Sequence, residues 1–148
     1  MSRRLDPHNS VCCLMSQLSH TVEQEIATSI AEINLTVLQL EVLAELSMDP
    51  SLSTADLARL TFVTPQNMSL TVSKLADRGY LVRSPHATNA RINRLNLTAR
   101  GKRVLDQGVT RAKRVEARSF AVLTRRERAA LLKTLRKSLS RFETAVQS

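Results

Sequence analysis

Gln66, Asn67, Ser69, Ser73 and Lys74 share one face of the helix that the pair Thr64-Pro65 predicts. Amides of Gln and Asn match the donor–acceptor pair on an adenine edge, and Ser reaches a base or a phosphate. Lys74, and Thr64 at the helix start, are suited to holding a phosphate backbone. Leu70 lies on the same face, opposite the apolar stripe of Met68, Val72 and Leu75, and is therefore expected to point outward. A thymine methyl is one use for it there; packing on a neighbouring hairpin, or plain exposure, is another. A second polar cluster follows in "YLVRSPHATNARINRLNLT", residues 80–98, where two short strand-like runs flank a loop. That loop carries His86, Asn89 and Arg91 and no acidic residue, while Arg94 stands in the return strand.

Other chemistries find little support. His8, His20 and His86 are far apart, and no Cys/His cluster has ligand spacing, so no metal site is expected. There is no Gly-rich phosphate loop, no nucleophile elbow and no evident carboxylate pair, so neither an enzyme nor a cofactor is expected. Cys12 and Cys13 are adjacent and cannot staple a loop, which does not suggest an oxidising compartment.

The elements that position these residues can be read from periodicity. Val11, Leu14, Leu18, Val22, Ile26, Ile30 and Ile33 predict one long amphipathic helix. Thr36 and Gln39 predict a capping box opening a second helix, which Asp49-Pro50 ends. A short third helix starts at Ser53 with Asp56 three residues on, and a turn at Thr61–Val63 leads into the fourth, stopped by Gly79. Residues 80–84 and 92–97 read as strands, the second placing Asn93, Leu95 and Leu97 on one face and Ile92, Arg94 and Asn96 on the other. Thr98 caps a fifth helix to about Arg118, with Gly108 as a point for a kink. Thr124 and Glu127 cap a last helix, whose stripe of Leu131, Leu132, Leu135, Leu139, Phe142 and Val146 is too apolar to be left in water.

The chain has 148 residues, 43% of them hydrophobic, enough for one ordinary domain with helical extensions. No apolar run reaches membrane-span length and the first residues lack a signal-peptide core, so a cytoplasmic protein is expected. The net charge of +9 is unevenly spread: net −5 over residues 1–50, +4 over 51–97 and +10 over 98–148. A basic middle fits a polyanion, and the acidic start and basic end can complement one another within the chain or across a dimer.

Two short helices joined by a tight turn, followed by a hairpin, make a winged helix-turn-helix, a mainly α fold with one small β-hairpin. The succession "LSTADLARLTFVTPQNMSLTVSKLADRGYLVRSPHATNARINRLNLTARG" closely resembles the MarR family of bacterial transcription regulators. The likeness rests on "VTPQNMS", "LADRGYLVR" and the stretch from Arg91 through Leu97-Thr98 to Gly101, and extends over nearly the whole chain. It implies a winged DNA-binding domain over 36–98, flanked by dimerisation helices over 1–35 and 99–148. It further implies a homodimeric repressor on palindromic double-stranded DNA, with Arg91 probing the minor groove and a small aromatic or phenolic effector releasing the complex. Met15 and His20 are the candidate linings for that effector. Cys12 stands where the peroxide-sensing branch places its reactive thiol, although Ile26 and Val37 replace that branch's tyrosines. A redox-sensing regulator is thus one alternative, and a winged-helix protein–protein interaction module another. Two departures stand out: Asn89 replaces the wing's usual Asp, and Leu70 stands where Arg is common, shifting the expectation from guanine contact towards shape and A·T readout.

Overall fold

The computed structural model describes residues 6–85 and 93–146. A single 3₁₀ turn, Pro7–Asn9, precedes α1 (Val11–Ala31), α2 (Val37–Met48), α3 (Thr54–Leu60) and α4 (Pro65–Asp77). Strands β1 (Leu81–Pro85) and β2 (Asn93–Leu97) follow, then α5 (Ala99–Ser119) and α6 (Arg125–Val146). The chain forms two compact units, one running to Val115 and one starting at Glu116.

Helix starts follow local side-chain chemistry. The Thr36 hydroxyl accepts from Gln39 N at 3.2 Å while the Gln39 side chain accepts from Thr36 N, closing the expected box. Ser53 and Asp56 repeat it for α3, and Thr124 and Glu127 for α6. Thr64 caps α4 ahead of Pro65.

Helix stops share another device. At the end of α4, Tyr80 N donates to Leu75 O at 2.9 Å and Gly79 N to Ala76 O at 2.8 Å, with Gly79 at φ 69°. This is the Schellman pairing, which needs one left-handed residue. After α1 the same pairing uses Leu35 to Ile30 and Asn34 to Ala31, with Asn34 at φ 55°. After α3 it uses Val63 to Ala58 and Phe62 to Arg59, with Phe62 at φ 55°. Gly and Asn tolerate that conformation; a phenylalanine there is strained.

In the first unit, Leu40, Val42, Leu43 and Leu46 of α2, Leu57 of α3, Met68, Val72 and Leu75 of α4, Leu81 and Leu95 of the hairpin, and Val104 and Leu105 of α5 form one buried core. α1 contributes Ile30, with Ile26 packed partly against it, and stops at Ala31; Ile33 lies in the turn beyond, not on the helix as the periodicity suggested. The first half of its stripe is uncovered, with Val11, Leu14, Met15 and Leu18 exposed. The hairpin pairs antiparallel, Leu81 opposite Leu97 and Arg83 opposite Leu95, starting one residue later than expected because Tyr80 completes the α4 stop.

α5 runs unbroken through Gly108. The glycine packs closely there: a Cβ at this position would meet the Leu40 side chain at 2.6 Å. Arg111 ties α5 to the end of α1, donating to Ser29 O at 3.0 Å and pairing with Glu32 at 2.7 Å. In the second unit, Arg128 pairs with Glu116 at 2.6 Å, and Leu132, Leu139 and Phe142 of α6 are exposed.

Gly101 admits no side chain because a Cβ would run into the backbone carbonyl of Tyr80, whereas at Gly108 the neighbour is a movable leucine tip. Ala gains about 1 kcal/mol of helix propensity at either site, while overpacking costs about 1–3 kcal/mol. Gly101→Ala is therefore expected to lower stability clearly and Gly108→Ala to change it by less than about 1 kcal/mol. Urea unfolding of the two variants checks this; equal losses would contradict it.

Candidate nucleic-acid interface

α4 buries Met68, Thr71, Val72 and Leu75 and leaves its other face open. Gln66, Asn67, Ser69 and Lys74 are all exposed on that face, and Leu70 is 54% exposed, so it points outward as expected. The Thr64 hydroxyl accepts from Asn67 N at 3.2 Å. Capping takes a lone pair and leaves the hydroxyl hydrogen able to meet a phosphate oxygen.

Ser73 is only half exposed and is already engaged: Arg83 of β1 donates to its hydroxyl at 3.2 Å. Arg83 joins the residues expected on this face. Strand parity places it on the face of Leu81 and Leu95, the face turned to the core, but its length carries the guanidinium out along α4. A basic residue at an inward position of a wing strand was the available signal. Arg94 is exposed on the opposite hairpin face, where Asn96 also donates across the strands to Ser84 at 2.9 Å. His86, Asn89 and Arg91 lie outside the described residues.

The base of the hairpin is closed against α5. Thr98 N donates to Tyr80 O at 3.0 Å, and the Thr98 hydroxyl donates to Gly79 O at 2.7 Å while accepting from Gly101 N at 2.9 Å. Arg78 donates to the Tyr80 hydroxyl at 3.0 Å and to Asn34 O, and the Arg78 and Arg100 guanidiniums lie 4.7 and 5.4 Å from the Tyr80 ring centre.

α3, whose Leu57 shares the core with Met68 of α4, begins with its own cap. Hydrogen bonds from the Ser53 hydroxyl and backbone, and from Arg59, hold the Asp56 carboxyl below the usual carboxylate range.

Elsewhere in the same unit, a cavity of about 490 Å³ opens between α1, α2 and the α3–α4 turn. Glu23, Glu41 and Glu45 line it together with Leu38, Leu60 and Phe62. Burial chiefly, then the neighbouring Glu23 and Glu45 charges, push the Glu41 carboxyl above the usual range. Met15 and His20 are exposed on α1 and are not among the residues lining this cavity. Cys12 is exposed in the first turn of α1 and Cys13 is half-buried. Among the described residues, no group of three His, Cys, Asp or Glu side chains is placed to hold a metal ion, and no helix is long and apolar enough to cross a membrane.

A helix-turn-helix with an open polar recognition face and a hairpin clamped beside it defines the winged helix class. Residues 33–92 match the MarR family. The HTH-type transcriptional repressor Rv2887 of Mycobacterium tuberculosis is 32% identical over 111 residues, 75% of this chain and 80% of that one. The chain belongs to the MarR family, whose members are transcriptional regulators and not enzymes. The crystal structure of Rv2887 with salicylic acid is similar at 29% identity and a TM-score of 0.75, covering 86% of this chain and 95% of that one. Its complex with DNA is similar at 28% identity and a TM-score of 0.73, covering 86% and 96%.

The Asp56 carboxyl titrates lower folded than unfolded, so its contribution is present above about pH 4 and is lost as pH falls through the folded value. Ser53→Ala should lower stability by about 1 kcal/mol at pH 7, and that deficit should narrow below about pH 4. Thermal melts of both proteins across pH 2–7 test this, and a deficit independent of pH would exclude the Asp56 contribution.

Proposed function

We propose that the protein is a homodimeric, sequence-specific DNA-binding repressor of the cytoplasm, released from palindromic double-stranded DNA by a small aromatic effector. The observation that carries the reading is the α4 face itself, where amide, hydroxyl and ammonium groups stand exposed with a wing fixed beside them by Arg83. Gln66, Asn67 and Ser69 would meet base edges in the major groove, with Leu70 against a thymine methyl. Thr64, Ser73, Lys74, Arg83 and Arg94 would hold phosphates. Arg91, with His86 and Asn89 beside it, would enter the flanking minor groove.

The domain assignment in this reading gives 36–98 to DNA and 1–35 and 99–148 to the dimer. Uncovered apolar side chains support it: Leu14, Met15 and Leu18 on α1, and Leu132, Leu139 and Phe142 on α6. A second copy would bury them. The existence of Rv2887 structures with DNA and with salicylic acid supports both partner classes for this chain.

A gel shift against random-sequence competitor is the direct test; binding no tighter to any genomic fragment would leave a protein–protein interaction module as the surviving function. A dimer making roughly 6–10 phosphate contacts should lose about 10³–10⁵ in affinity between 50 and 200 mM salt. Arg91→Ala should weaken binding by about 1–3 kcal/mol; unchanged affinity would remove the wing from recognition.

One observation favours a second, thiol-based reading: Cys12 is solvent-exposed near the positive end of α1. If Cys12 is a sensor, peroxide should dissociate the wild-type complex and leave that of Cys12→Ser intact. Equal release from both would exclude it.

A further inference from the structure

Arg78 closes the C-terminal end of α4, three residues beyond Leu75, and so continues the inward stripe of Met68, Thr71 and Leu75 rather than the open face. Its guanidinium donates to the backbone carbonyl of Asn34, forty-four positions earlier, and to the Tyr80 hydroxyl at 3.0 Å. It also lies 4.7 Å from the Tyr80 ring centre. Asn34 is the left-handed residue at which α1 stops. One side chain thus ties the end of the recognition helix to the last turn of α1. Arg111 grips that same turn from α5, at Ser29 O and Glu32.

Such a tie matters to a protein that reads two half-sites at once. α1 carries Val11, Leu14, Met15 and Leu18, the uncovered residues that a second copy would bury, and α4 carries the side chains that would meet bases. One extra base pair between half-sites moves them apart by about 3.4 Å, so each recognition helix must shift by about 1.7 Å to follow. The freedom of α4 to shift against α1 therefore decides which spacings are accepted. An arginine held at once by a carbonyl, a hydroxyl and a ring face leaves little of that freedom. We propose that Arg78 is a positioning residue for DNA recognition, locking α4 to the end of α1 and so fixing the half-site spacing that the dimer accepts. In this role it touches no DNA. The inference rests on the homodimeric regulator reading for its consequence, but not for the tie itself.

The test uses the full-length chain and the palindromic duplex that it selects from a random-sequence pool, with the centre unaltered, lengthened or shortened by one base pair. Arg78→Met should cut the preference for the selected spacing about tenfold, weakening the parent duplex while leaving the altered ones nearly unchanged. Arg78→Lys, which keeps a donor for Asn34 O, should restore most of that preference. Tyr80→Phe, a milder change that removes only the hydroxyl holding the guanidinium, should shift the preference in the same direction as Arg78→Met. The dependence of affinity on salt should be the same in all of them, because no phosphate contact is lost. Equal weakening at every spacing would overturn the proposal and leave Arg78 a merely structural role. A salt slope lower by about one would overturn it by making Arg78 a phosphate ligand. Tyr80 is the only tyrosine and there is no tryptophan, so the emission of the chain reads the tie directly. Acrylamide should quench that emission more in Arg78→Met than in the wild type or Arg78→Lys; unchanged quenching would overturn the tie whether or not DNA binds. Selection of a duplex without any effect of Arg78 on spacing defeats the positioning role alone. Failure to select any duplex defeats the regulator reading and the positioning role together.

Discussion

The backbone carbonyl of Tyr80 is the joint on which the first unit depends. It accepts from Thr98 N, and the Thr98 hydroxyl reaches across to Gly79 O and back to Gly101 N. Three hydrogen bonds in one place thus fix the end of α4, the start of β1, the end of β2 and the start of α5. The close approach is why residue 101 is glycine, and why the hairpin cannot swing independently of the recognition helix. Burial of Leu81 and Leu95 adds the apolar part of the same anchor. Arg83 extends it outward by joining β1 to Ser73 on the open face of α4.

That rigidity matters because base readout is a geometric demand. Side chains that read base edges must be held to within about half an ångström, and rigid elements do so better than loops. Met68, Val72 and Leu75 fix the rotation of α4 about its axis, which decides that Gln66, Asn67 and Ser69 face outward together. Ser73 is then a positioning contact, since its hydroxyl is shared with Arg83.

Helix starts were legible in the sequence because a capping box is a local event: the residues that signal it are the residues that form it. Thr36 with Gln39, Ser53 with Asp56 and Thr124 with Glu127 all close as their spacing implied. The outward direction of Leu70 followed from helical periodicity alone. What periodicity missed depends on tertiary contact or on backbone strain. Gly108 signals a bend by composition, whereas its close neighbour in the fold is Leu40, sixty-eight positions earlier. Arg83 could not be assigned because its reach depends on how α4 lies against β1. Phe62 carried no signal at all, since a left-handed phenylalanine is the residue that turn statistics argue against. Parity and periodicity also say nothing about how a loop tip carrying Arg91 is held.

Phe62 lies two residues before Thr64, whose hydroxyl caps α4. A left-handed phenylalanine costs about 1–2 kcal/mol relative to an unstrained backbone, and a glycine would close the same stop without that cost. The connection into α4 thus carries strain within two residues of the cap from which Gln66 and Asn67 project. The start of α4 is therefore held by the Thr64 cap and by the burial of Met68, Val72 and Leu75 rather than by a relaxed turn.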